Sequence, residues 1–120
     1  MRVLVVDDSK AMRMIVGRTL RQSGVAVDEV REAEDGRAAL DALASYDADL
    51  VLCDWNMPNM NGIELLRAMR AGGDERTFGF VTSESNPSMA DEAEAAGAAF
   101  LLTKPFTPER FADAVGSLVG

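Results

Sequence analysis

The chain has 120 residues and a net charge of −8, with 20 acidic side chains against 12 basic ones and no histidine. That length fits one domain, read as residues 1–120, able to bury roughly two-thirds of its unfolded surface without staples. The acidic balance argues against a nucleic-acid face, the lack of histidine removes histidine-based triads and most zinc sites, and the lone Cys53 excludes an internal disulfide.

Val3 to Val6 is a β-branched run that suits a strand buried on both faces. It is too short for a signal peptide and ends at once in Asp7-Asp8. No other apolar run approaches a membrane span, so a cytoplasmic location and no membrane partner are expected. Ser9 is a candidate N-cap for a first helix whose apolar face is Met12, Ile15, Val16 and Leu20. Val25 to Val30 reads as an edge strand, and Gly36 to Ser45 as a helix carrying Ala39, Leu40 and Leu43. Leu50 to Cys53 is a fully apolar strand. Gly62 to Ala71 is a helix with Ile63, Leu66 and Met69 inward, arginines near its end and Gly72-Gly73 as its stop. Phe78 to Val81 is a strand, Ser88 to Ala96 an acid-rich helix ending at Gly97, and Phe100 to Leu102 a last strand. Thr107-Pro108 caps a final helix that uses Phe111, Ala114, Val115 and Leu118. Repeated βα units predict an α/β domain: a doubly wound five-stranded parallel sheet with five helices on its two faces.

In such a sheet, ligands bind outside the carboxyl ends of the strands, where the strand order reverses. Asp7 and Asp8 follow the first strand, Asp54 the third, Thr82 the fourth, and Lys104 comes just after the fifth. Three carboxylates, one hydroxyl and one ammonium should therefore converge. Carboxylates so close repel one another and resist ionisation. A Mg²⁺ ion relieves that conflict, taking oxygen ligands and a phosphoryl oxygen. Asp54 is then free to act as a nucleophile, with Lys104 and Thr82 on the other phosphoryl oxygens. Each residue has a plainer reading alone: a strand-end aspartate is commonly a turn or cap, Asp-Asp-Ser a helix start, Lys104-Pro105 a surface turn, Thr82 a cap. Their coincidence on one sheet edge favours the joint reading. Lys104 is also one of only two lysines, beside Lys10, which suits a need for a point charge on a flexible stem.

With these residues in place, the sequence resembles the receiver domain of a two-component response regulator, of the CheY-like, single-domain chemotaxis type. The matching stretches are Val3 to Ser9, Cys53-Asp54-Trp55-Asn56-Met57-Pro58-Asn59-Met60-Asn61-Gly62, Val81 to Glu84, and Ala96-Gly97-Ala98 through Lys104-Pro105-Phe106-Thr107. The resemblance covers essentially the whole chain and implies the flavodoxin-like strand order 2-1-3-4-5. It makes Asp54 the phosphoacceptor, taking a phosphoryl group from a sensor histidine kinase. Asp8, Asp54 and the backbone carbonyl of Asn56 become Mg²⁺ ligands, with Asp7 acting largely through water. Lys104 pairs with the phosphoryl group beside a cis bond to Pro105, and Thr82 turns inward onto a phosphoryl oxygen. Ser83 leaves the site accessible, and Asn56 and Glu84 occupy the positions that tune dephosphorylation in relatives. Output is expected through a partner protein on the face of helix 4, strand 5 and helix 5, from a monomer, a dimer being the alternative. The chain is not expected to be an enzyme beyond its own phosphorylation and dephosphorylation. Two departures stand out. Leu101 occupies the position where relatives often carry Tyr or Phe, with Phe100 one residue earlier and so on the opposite face. Asp91, Glu92 and Glu94 lie where chemotaxis relatives tend to be more basic; they read as solvated surface charge.

Three rival readings compete with this one. A Mg²⁺-dependent phosphatase with an aspartyl-phosphate intermediate typically has a second aspartate two residues after the nucleophile, where this chain has Asn56. A flavin carrier needs a Gly/Ser/Thr-rich loop after the first strand, where this chain has acids. The chain ends with its fifth helix, leaving no room for an output domain, unless the receiver is a piece of a longer multidomain regulator. Cys53 reads as core. Met12, Met14, Met57, Met60, Met69 and Met89 read as packing or loop anchors. Trp55 reads as partly exposed at the cleft, where it could report metal binding.

Overall fold

A computed structural model describes residues 1–83, 86–104 and 106–119, with side chains through residue 116. The expectations for Glu84, Pro105, the Lys104–Pro105 bond and the packing of Leu118 lie outside the described residues.

The elements follow one another as β1 (Arg2–Val6), α1 (Lys10–Gln22), β2 (Glu29–Ala33), α2 (Gly36–Leu43), β3 (Leu50–Cys53), α3 (Gly62–Ala71), β4 (Thr77–Thr82), α4 (Pro87–Ala96), β5 (Phe100–Thr103) and α5 (Pro108–Val119). The strands form one parallel sheet in the order β2-β1-β3-β4-β5, as expected. Alternation along each strand divides the core. Val3, Val5, Leu50, Leu52, Val81 and Leu102 face α1 and α5, where they meet Val16, Leu20, Phe111 and Val115. Leu4, Val6, Val51, Cys53, Phe78 and Phe80 face α2, α3 and α4. The central strands are apolar on both faces because helices cover both.

The polar residues at the helix ends explain where the helices begin. Ser9, Asp35, Asn61 and Asn86 each accept a backbone N–H three residues on. Asn61 and Glu64 form a reciprocal capping box. Thr107 Oγ1 accepts the Arg110 N–H at 3.2 Å, the cap expected before Pro108.

Three expectations need correction. β2 is not Val25 to Val30 but Glu29–Ala33. Val25 and Val27 pack on the core ahead of the strand, while the strand itself is polar because it lies at the sheet edge. Arg31 stacks over the Tyr46 ring at 4.4 Å, on the face opposite Val30. Ile15 does not belong to the buried face of α1: it is 43 % exposed, and Thr19 is buried beside Val16 and Leu20. Met14, 53 % exposed, anchors nothing in the core, whereas Met69 is buried in the core and Met57, Met60 and Met89 pack against that core.

The register pairs Gly79 with Phe100 across β4 and β5. A Cβ on Gly79 would run into the Phe100 ring, so the glycine makes room for the aromatic on the α1–α5 face. Leu101 packs on the other face, toward α4, confirming that the aromatic and the leucine point in opposite directions.

Candidate functional site

The parallel sheet brings the ends of β1, β3, β4 and β5 to one edge. Asp7 and Asp8 leave β1 there, Asp54 leaves β3, Thr82 closes β4 and Lys104 follows β5. One carboxylate oxygen from each of Asp7, Asp8 and Asp54 lies within 4.8 Å of the others. Asp7 is buried, Asp54 half-buried and Asp8 exposed, so the cluster opens to solvent on the Asp8 side.

Each acid is fixed by its loop. Asp7 extends the sheet: its N–H donates to the Ala33 carbonyl at 3.1 Å, and its carboxylate accepts the Ser9 N–H at 2.9 Å. The Asp54 N–H donates to the Val6 carbonyl at 2.9 Å. The Asp54 carboxylate accepts the Trp55 N–H at 2.8 Å, and the Asn56 N–H also stabilises it. The chain then turns back, with the Gly62 N–H on the Trp55 carbonyl at 2.8 Å. A Cβ on Gly62 would collide with the Asp54 carbonyl oxygen and the Phe80 ring, so only glycine lets α3 begin directly against the acid-bearing peptide.

Burial, above all, raises the pKa of the Asp54 carboxyl, against the pull of Lys104 and the two backbone donors; Asp8 adds to the rise. Burial likewise raises Asp7, against the Ser9 N–H, with Asp54 adding to the rise and Lys104 opposing it. Two carboxyls that burial holds toward their protonated form, Asp7 and Asp54, present the conflict that a hard divalent cation relieves. Asp7, Asp8 and Asp54 therefore fit Mg²⁺, and they are the residues that could hold it.

Lys104 is a cation that acts on both Asp7 and Asp54. Its N–H donates to the Thr82 carbonyl at 2.8 Å, joining the two strand ends. Thr82 is fully buried, while Ser83 and Asn56 are exposed at the rim. Trp55 corrects the expectation of partial exposure. It is 9 % exposed and packs on Phe80, with ring centroids 4.7 Å apart. Cys53 is core, as expected. Its Sγ donates to the Asp54 carbonyl at 3.1 Å, and burial holds its thiol pKa well above the ordinary value. Of the acids on α4, Glu92 is not simply solvated: it pairs with Arg67 of α3 at 3.0 Å, while Asp91 and Glu94 are exposed.

Sequence reasoning missed Arg13, whose guanidinium donates to the Asp7 carbonyl at 2.7 Å and to Glu32 at 2.8 Å. Arg13 lies between Met12 and Val16 on α1 and Glu32 alternates in phase with Val30, but Glu32 is exposed, and the pairing is set by how α1 sits on the sheet.

Residues 3–116 match the family model described as the response regulator receiver domain. The chain is 42 % identical over 113 residues to the chemotaxis protein CheY of Pseudomonas aeruginosa, covering 91 % of this chain and 88 % of that protein. It is 40 % identical over 109 residues to the chemotaxis protein CheY-3 of Vibrio cholerae, covering 89 % and 82 %. Among solved structures, it is similar to the chemotaxis protein CheY4 of Vibrio cholerae, with TM-score 0.84 and 36 % identity over 97 % of this chain and 96 % of that one. It is also similar to the receiver domain of the Francisella response regulator 1452, with TM-score 0.86 and 27 % identity over 98 % and 94 %. The acid cluster at the carboxyl edge thus lies in a chain that belongs to the response regulator receiver domain family, with CheY chemotaxis proteins among its relatives.

Proposed function

We propose that this receiver accepts a phosphoryl group on Asp54 from the phosphohistidine of a sensor histidine kinase and signals by binding a partner protein. The observation that carries the reading is the meeting of the Asp7, Asp8 and Asp54 carboxylates within 4.8 Å, with the Lys104 charge acting on Asp7 and Asp54. A carboxylate oxygen of Asp54 attacks phosphorus, the P–N bond breaks, and its electron pair returns to the donor imidazole. The product is an acyl phosphate on Asp54, which water later hydrolyses. Bound Mg²⁺ would neutralise charge on the transferring group.

The protein's own residues do the rest. Asp8, Asp54 and the backbone carbonyl of Asn56 would hold the cation, with Asp7 acting largely through water. Lys104 meets a phosphoryl oxygen with a charge-assisted hydrogen bond, and Thr82 offers a hydroxyl to another. Ser83, being small, leaves the rim open to the donor, and Asn56 and Glu84 tune access of the hydrolytic water. Phosphorylation shifts a pre-existing equilibrium, and the altered face is that of α4, β5 and α5. The CheY relatives are chemotaxis proteins, which supports a role in chemotaxis or motility.

Acetyl phosphate with Mg²⁺ tests the reading. It should label the wild-type protein, and Asp54→Asn should abolish the label. Undiminished labelling of that variant, or labelling that ignores Mg²⁺ removal by EDTA, overturns the assignment.

A further inference from the structure

Arg13 has no part in the transfer chemistry, yet its side chain is only 14 % exposed. Its Nε donates to Glu32 Oε1 at 2.8 Å, and its Nη1 donates to the backbone carbonyl of Asp7 at 2.7 Å. Those acceptors sit at the ends of two neighbouring strands, since Glu32 pairs with Val5 and Ala33 with Val6 in the parallel register. The Asp7 peptide N–H already donates to the Ala33 carbonyl, and the Asp7 carboxylate accepts the Ser9 N–H. Arg13 supplies the remaining restraint, on the carbonyl through which the chain passes to Asp8. Only a planar guanidinium reaches two acceptors in fixed directions at once; a lysine ammonium on a flexible stem does not.

An ion pair whose carboxylate is 43 % exposed adds little stability by itself. The arrangement makes sense as placement. We propose that Arg13, anchored by Glu32, is a positioning residue for the cation site: it fixes the peptide that carries Asp7 and Asp8 so that their carboxylates meet that of Asp54. This rests on the reading of those three acids as a Mg²⁺ site.

The proposal predicts a sign opposite to that of simple electrostatics. Removing a positive charge beside an acidic cluster should strengthen cation binding; removing a positioning group should weaken it. Mg²⁺ is titrated into the intact chain and followed by Trp55 emission and by backbone amide chemical shifts, the latter also confirming the fold of each variant. Arg13→Met should bind Mg²⁺ about tenfold more weakly, the lower end of what loss of a ligand-orienting partner costs. Glu32→Ala should weaken binding in the same direction, and the double variant should be no worse than Arg13→Met alone. Arg13→Lys should recover only part of the loss. Arg31→Met, which breaks the exposed Arg31–Glu29 pair on the same strand, should leave the affinity unchanged. Saturating Mg²⁺ should restore the acetyl phosphate labelling rate of Arg13→Met, whereas general damage to the fold would lower that ceiling. If Arg13→Met fails to fold, Glu32→Ala and Arg13→Lys carry the comparison. Affinities of the folded variants within twofold of wild type, or tighter, overturn the proposal. A wild-type protein that does not saturate with Mg²⁺ overturns the cation-site reading and the proposal with it, an outcome distinct from the first.

Discussion

The indole of Trp55 lies against the ring of Phe80, with centroids 4.7 Å apart and planes tilted by 39°, directly after the residue whose carboxylate accepts the Trp55 N–H. The only tryptophan of the chain is thus bonded through its backbone to the site and held through its ring by the core. Mg²⁺ should change its emission in a saturable way, and Asp54→Asn should suppress that change. Phe80→Ala should shift the emission to the red by admitting water, and should cost about 3–5 kcal/mol of stability by urea denaturation. An unshifted Phe80→Ala spectrum would show that the stack does not define the Trp55 environment.

Asp7 and Asp54 both hold their protons more tightly in the folded protein than their ordinary value of 3.8 implies. Between that value and their raised folded values, the native state binds more protons than the unfolded chain. Their contribution to stability therefore falls as pH rises through the window and stays unfavourable at neutral pH. Asp28 and Asp35, whose pKa values are lowered by the amino terminus and by the Ala38 N–H, run the other way and lose stability as pH falls. Without Mg²⁺ at pH 7, Asp7→Asn should be more stable than wild type, because burial disfavours the charged carboxylate. The gain should shrink toward pH 3, where both carboxyls are protonated. Mg²⁺ should stabilise wild type in proportion to the logarithm of its concentration and should stabilise Asp54→Asn far less. Urea titrations across pH, with and without Mg²⁺, measure all three.

The strands and helices were legible where period and capping agree. β3 and α3 were read to their observed ends because Leu50 to Cys53 is apolar throughout and the Gly72-Gly73 pair marks a stop. Valine density points to Val25 to Val30 and misses β2, because an edge strand carrying Arg31 and Glu32 needs only alternation and backbone pairing. The partners of the acids were legible as strand-end positions, since the parallel topology alone brings them together. What pairwise placement hides is the support. The Arg13 bridge joins residues 19 apart in sequence, and the collision that keeps Gly62 a glycine comes from the Asp54 backbone and Phe80. Both depend on how a helix sits on the sheet, which hydropathy does not encode.

Thr82 is fully buried at the end of β4, and its carbonyl holds the Lys104 N–H. If its hydroxyl carries the phosphorylation signal from the site, Thr82→Ala should still be labelled by acetyl phosphate. Saturating beryllofluoride with Mg²⁺ should then produce smaller amide shifts in α4 and β5 than in wild type. Equal shifts in the two proteins would remove Thr82 from the switch.

Gly79 and Phe100 make the last prediction, because two general rules disagree about them. Replacing a strand glycine by alanine reduces the freedom of the unfolded chain and should stabilise the fold by a few tenths to 1 kcal/mol. Here the added methyl meets the Phe100 ring, and overpacking of that kind typically costs about 1–3 kcal/mol. Contact should win, since Gly79 is buried between neighbouring strands and the register sets Phe100 directly across from it. Gly79→Ala should therefore lower the urea midpoint with little change in slope. In a Phe100→Ala background, where the ring is absent, the same substitution should be neutral or stabilising. A Gly79→Ala penalty that persists without the ring would place the strain in the backbone of β4 instead of in this aromatic contact.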